Sequence, residues 1–135
     1  MLRNAKIAGV ASRADTVTAD ATRMPLPDAS YDAAISSYAI DHMGRQGASK
    51  AIHEVARVLK PDGEFLLEIV NPDVWVKVLM PIPHVGLNAH FKPDPIRWRA
   101  MLKDAGFEVI EEGRGPATLY WLARKQQVPP PHTAS

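Results

Sequence analysis

Apolar residues return at intervals of three and four through Ala48 to Lys60, where Ile52, Val55, Ala56 and Leu59 line one side while Lys50, Glu54 and Arg57 point away. That spacing predicts an amphipathic helix. The next apolar run, Glu64 to Val70, is too short for a helix and rich in strand formers, so it predicts a strand. Between them Lys60-Pro61-Asp62-Gly63 predicts a turn, with proline setting its second position and glycine suiting its fourth. A second helical stripe, Trp98, Met101, Leu102 and Ala105, is introduced by Asp94 as an N-cap with Pro95 in the first turn, and Gly106 ends it. Phe107 to Glu111 and Ala117 to Arg124 then predict two strands, antiparallel across a turn at Glu112 to Pro116.

The first thirty residues carry weaker signals. Leu2 to Val10 suits a short helix ended by Gly9, without a capping residue before it. The β-branched run Thr16-Val17-Thr18 predicts a brief strand over Ala14 to Ala19, which would place Asp20 at its carboxyl end. Pro25 and Pro27 make Thr22 to Ser30 a loop. Tyr31 to Ser36 is short and mostly apolar, as expected for a strand buried on both faces. Residues 71–93 hold Pro72, Pro81, Pro83 and Pro93 among Trp75, Val78, Leu79, Met80 and Phe91, a mixture that predicts a lid-like insertion. Residues 126–135, with three consecutive prolines, predict a disordered tail. Alternating helices and strands with a terminal hairpin imply an α/β, doubly wound sheet.

Composition narrows the function classes. A chain of 135 residues with 46% hydrophobic content supports one domain and one core. With 16 basic against 15 acidic residues and a net charge of +1, no global field draws it to nucleic acid or to an acidic membrane. The absence of cysteine removes disulfides, thiolate catalysis and cysteine-based zinc sites together, and suits the cytoplasm. No stretch has the length of a membrane span.

A series of short pieces is more specific than any of these. Asp20-Ala21 is followed by Met24-Pro25-Leu26-Pro27-Asp28, by Ser30-Tyr31-Asp32-Ala33-Ala34-Ile35-Ser36, by Asp41-His42, and by His53-Glu54-Val55-Ala56-Arg57-Val58-Leu59-Lys60-Pro61-Asp62-Gly63. In order and spacing the series resembles the C-terminal two-thirds of a class I S-adenosylmethionine-dependent methyltransferase of the small-molecule branch. The resemblance implies an incomplete Rossmann-like methyltransferase sheet over residues 1–125, with S-adenosylmethionine as cofactor and a small-molecule acceptor. The family's opening strand, glycine-rich turn and helix, and its second strand, have no counterpart. In its sheet order, 3-2-1-4-5-7-6, that omission would leave the strand ending at Ser36 as an exposed apolar edge. Direct pairing with the strand ending at Asp20, a second copy, or a complementing chain would cover it.

The resemblance also implies roles. Asp20 would accept a hydrogen bond from the adenine amino group, with the Ala21 amide serving a ring nitrogen and Met24 and Leu26 packing near the base. Ser36 and Ser37 would lie beside the methionine portion. His42 would fall in the loop that faces the acceptor, and His42 and Tyr38 are the candidate bases for an acceptor that must lose a proton. Each has a plainer alternative: Asp20 as the end of a strand or a turn cap, His42 as a surface loop residue. Asp32 suits the entry to its strand, His53 a solvated helix face, and Trp75 and Phe91 a core. His84 and His90, with Asn88 between, lack the further ligand that a metal site requires, and no metal is expected. Three functions follow: a methyltransferase or part of one, a noncatalytic module for oligomerisation or partner binding, and another nucleotide-binding α/β protein.

Overall fold

A computed structural model of the chain describes residues 2–71 and 94–127. The predicted lid lies almost wholly outside the described residues, as do Trp75, His84, Asn88, His90, Phe91 and most of the tail. The elements in chain order are α1 (Leu2–Ile7), a 3-10 turn (Ala11–Arg13), β1 (Tyr31–Ser37), a second 3-10 turn (Ile40–His42), α2 (Gly44–Val58), β2 (Leu59–Val70), α3 (Pro95–Asp104), β3 (Phe107–Arg114) and β4 (Thr118–Lys125). They build one four-stranded sheet in the order β1-β2-β4-β3, with β1 parallel to β2 and both remaining pairs antiparallel. The mixed α/β sheet and its C-terminal hairpin are as the sequence implies, and the order reproduces the 4-5-7-6 part of the family's sheet.

The core lies on one face of that sheet. Pairing across β2 and β4 brings Phe65 beside Ala123, Leu67 beside Trp121 and Ile69 beside Leu119, all buried. Ala51, Ile52 and Ala56 of α2 and Trp98, Met101 and Leu102 of α3 close over them. Within the sheet Phe65 of β2 meets Phe107 of β3 at 5.5 Å between ring centroids, and Trp98 of α3 meets Trp121 of β4 at 6.3 Å, joining helix to sheet. Fully burying a side chain such as Phe65 or Leu102 contributes about 1.5–3 kcal/mol. α3 begins as the sequence predicts: the Asp94 carboxylate accepts from the amides of Ile96 and Arg97, and Gly106, at φ +92°, ends it.

On the opposite face Ile35, Leu66 and Leu122 form one rung across β1, β2 and β4, with Ile35 71% exposed and the other two half-buried. β1 pairs only with β2 among the described residues, so its second edge is open.

Two expectations are corrected. Ala14 to Ala19 forms no strand; residues 11–21 are exposed throughout, and Ala14 to Ala19 pairs with no strand among the described residues. Three threonine and valine side chains favour an extended backbone, yet without a neighbouring strand their amides have no ladder to join. β1 is also not buried on both faces: Tyr31, Ala33, Ile35 and Ser37 are exposed, and only Ala34 and Ser36 turn toward the core side.

The predicted Lys60 to Gly63 turn exists as a bulge inside β2. Tyr31 stands opposite Leu59 while Ala33 already stands opposite Glu64, and Asp62 adopts φ +66°. Gly63 is required there, since a Cβ would sit 2.8 Å from the Lys60 carbonyl oxygen and 3.2 Å from that of Asp32. α2 runs into β2 without a loop: Leu59, at ψ 140°, is both the residue that ends the helix and the first of the strand.

Candidate functional site

Open α/β sheets bind ligands at the carboxyl ends of their parallel strands, and in this chain β1 and β2 end together. At the end of β1 the Ser37 hydroxyl donates to Glu68 Oε2 at 2.5 Å. The Tyr38 amide donates to the Glu68 carbonyl at 3.0 Å. Tyr38 holds φ +56°, and its hydroxyl meets Thr118 Oγ1 at 2.5 Å, tying the turn to the start of β4. Ile40, buried against the core, anchors the following 3-10 turn. Asp41 Oδ2 accepts from the Val70 amide at 3.2 Å, so the turn is also fixed to the end of β2. Asp41 Oδ1 is buried without a hydrogen-bond partner among the described residues and lies 3.9 Å from His42 Nε2. The His42 side chain is 58% exposed. Ser36, Ser37, Tyr38 and His42 are thus brought to one end of the sheet.

Asp20, Ala21, Met24 and Leu26 form a second group. The Arg23 amide donates to the Asp20 carbonyl at 3.0 Å, closing a turn in which Asp20 Oδ1 accepts from both the amide and the hydroxyl of Thr22, at 2.8 and 2.7 Å. The Thr22 amide foremost, then its hydroxyl and the Lys50 ammonium of α2, hold the Asp20 carboxyl below its usual range. It is therefore an exposed carboxylate at neutral pH. Asp20 is held by a turn and not by a strand.

The loop that follows is fastened by two α2 side chains that periodicity assigns to solvent. Glu54 Oε2 accepts from the Met24 amide at 2.8 Å. Arg57 donates to the carbonyls of Met24 and Leu26, at 3.0 and 2.8 Å, to the Asp28 carboxylate at 2.6 Å, and to Glu54 itself. The Arg57 guanidinium, with the Met24 amide, holds the Glu54 carboxyl down at about 2. Glu54 and Asp28 in turn push the Arg57 guanidinium above its ordinary range. The Ala29 and Ser30 amides then donate to the carbonyls of Arg57 and Val58, delivering the chain into β1. A residue count could not reveal this clamp. The available signal was an i, i+3 Glu54–Arg57 pair together with a loop whose two prolines leave few amides of its own.

Asp32 pairs with Lys60 at 3.1 Å on the surface, and the His53 ring bonds the Ser49 carbonyl at 2.8 Å, so both serve local structure. Among the described residues no group of three or more histidines or acidic side chains is arranged to hold a metal ion, and no helix is long and apolar enough to cross a membrane.

Residues 1–67, which contain all eight candidate site residues, match a family described as a methyltransferase domain. A ubiquinone/menaquinone biosynthesis C-methyltransferase of Pseudomonas putida is 28% identical over 124 residues, covering 76% of this chain and 48% of that protein. A sterol 4-C-methyltransferase of Caenorhabditis elegans is 35% identical over 59 residues, 44% of this chain and 17% of that one. Among solved structures, the [4+2]-cyclase SpnF superposes with a TM-score of 0.67 at 20% identity, over 92% of this chain and 60% of its own. The chain spans about half the length, or less, of these two curated relatives.

Proposed function

We propose that this chain, whose residues 1–67 match a methyltransferase domain, is a class I S-adenosylmethionine-dependent methyltransferase and forms part of an enzyme transferring a methyl group from S-adenosylmethionine, the family's cofactor, to a small-molecule acceptor. The observation that carries this reading is the exposed, ionised Asp20 carboxylate beside Ala21, whose amide makes no hydrogen bond among the described residues. An acceptor next to a donor suits the edge of a purine, where an amino group adjoins a ring nitrogen. The half-buried Met24 and Leu26 side chains would flank the base. At the other group, the Ser36 and Ser37 backbone would lie beside the methionine portion. The residues fit these two ends of the cofactor. The family's ribose-binding acidic residue has no match among the described ones.

When bound, the cofactor supplies an electrophilic methyl group on a sulfonium sulfur. What this chain contributes is alignment, and alignment supplies much of the rate of such a displacement. His42, exposed at the end of the sheet, would take a proton from an acceptor that must lose one. Tyr38, with its hydroxyl committed to Thr118, would orient the acceptor. Small organic acceptors are supported by the quinone-pathway and sterol relatives. The fold does not decide the reaction, since a cyclase shares it. A cysteine-free chain suits the cytoplasm.

A second reading is favoured by the β1 edge, open among the described residues, and by the exposed Ile35 at the end of its rung with Leu66 and Leu122: a noncatalytic module whose sheet is completed by a second copy or another polypeptide. Calorimetric titration of the pure, folded chain with S-adenosylhomocysteine separates the two. Saturable heat with a rise in melting temperature supports cofactor binding; neither effect favours the binding module.

A further inference from the structure

The two groups of the site share no direct hydrogen bond, yet both are built on α2. Its first turn follows directly from the Tyr38–His42 segment, and its last two turns carry Glu54 and Arg57. Upstream of Met24 the chain has little else to hold it: residues 11–21 are exposed, and the bonds of Asp20 and Thr22 stay within their own turn. Met24 is the first residue after that turn whose backbone is fastened, and both of its polar groups are taken by the clamp, the amide by Glu54 and the carbonyl by Arg57. Arg57 then fixes Leu26 and Asp28 in the same direction. Pro25 and Pro27 restrict the backbone dihedrals between these anchors, so the loop does not absorb a displacement at Met24 by local rotation.

We propose that Glu54 and Arg57 are positioning residues for the Asp20 turn, acting through the Met24–Asp28 loop to hold the adenine-side carboxylate at a fixed place along α2. The inference rests on the cofactor reading above. Lys50, one helical turn before Glu54, adds a charge that helps hold the Asp20 carboxyl below its usual range. By the helix rise of 1.5 Å per residue, roughly 9 Å of α2 separates Gly44, beside the His42 turn, from Lys50. One rigid element would therefore set the spacing between the adenine edge and the acceptor side.

The test compares the wild-type chain with Arg57→Ala and Glu54→Gln by S-adenosylhomocysteine titration and by amide hydrogen exchange, at a temperature where circular dichroism shows all three folded. Loss of charge-assisted bonds at Arg57 should raise the dissociation constant about tenfold, and Glu54→Gln, which keeps an acceptor for Met24, should raise it less. Exchange at Met24 and at Thr22 should speed up together by about tenfold in Arg57→Ala, with the amides of β2 and β4 unchanged. An unchanged dissociation constant in folded Arg57→Ala overturns the proposal. If the wild-type chain binds no S-adenosylhomocysteine, the cofactor reading fails on its own, and exchange still decides the structural coupling. Faster exchange at Met24 with Thr22 unaffected would show that the clamp ends at the loop, which also overturns it.

Discussion

Glu54 makes a sharp test of what holds the N-terminal loop, because its charge and its shape can be separated. Glu54→Gln keeps the length of the side chain and an oxygen to accept the Met24 amide, but removes the charge facing Arg57. In the folded chain the carboxyl falls from an ordinary 4.5 to about 2, which at ~1.4 kcal/mol per pH unit sets an upper figure of about 3 kcal/mol. The pair is partly open to water, at 18% exposure for Glu54 and 32% for Arg57, so about half of that, ~1.5 kcal/mol, is expected at pH 7. The sign follows from the depressed value. Stability is fully present above the unfolded carboxyl range near 4.5 and is lost as pH falls through the folded value near 2. Urea denaturation of both proteins at intervals from pH 7 to pH 2 measures it. The difference in unfolding free energy should hold steady down to about pH 5 and shrink toward zero near pH 2. A difference that stays constant across the range would refute the electrostatic reasoning and assign the effect to packing.

Other substitutions probe other parts of the fold. Gly63→Ala should destabilise the bulge by more than about 1 kcal/mol, read as a lower melting temperature, because its Cβ meets the Lys60 carbonyl at 2.8 Å. Leu102→Ala, deep in the core, should cost about 2–5 kcal/mol in chemical denaturation. Asp94→Ala removes the side-chain acceptor at the start of α3 and should cost ~1 kcal/mol by the same measurement. Ile35→Lys should leave the melting temperature nearly unchanged while lowering any self-association seen by sedimentation, since that side chain is 71% exposed.

Helices and strands that bury a continuous stripe were legible in the sequence. α2, α3, β2 and the β3–β4 hairpin declare themselves through Ile52, Trp98, Phe65 and Trp121, whose burial enforces the period. The segment Ala14 to Ala19 misled because propensity is local while a strand needs a partner, and none flanks it among the described residues. β1 misled in the opposite sense. Its apolar residues read as a buried strand, but being apolar does not state which faces neighbours cover. For the candidate site, the series from Asp20 to Gly63 named residues that the structure gathers into two groups. It did not locate what holds them: Glu54 and Arg57 read as a solvated helix face, because hydrogen bonds to a loop thirty residues upstream have no periodicity. The Asp41 bond to the Val70 amide escaped for the same reason.

The junction of α2 and β2 has a consequence for how this chain tolerates change. Since Leu59 ends the helix and begins the strand, there is no slack between them. Inserting a single residue after Val58 would turn α2 by about 100° relative to the sheet, by the 3.6 residues of a helical turn. Ile52 and Ala56 would swing out of the core while Glu54 and Arg57 swept past the loop they hold. Most loops treat insertions and substitutions alike, but this joint behaves as a gear tooth: side chains there can be exchanged, whereas the count of residues cannot.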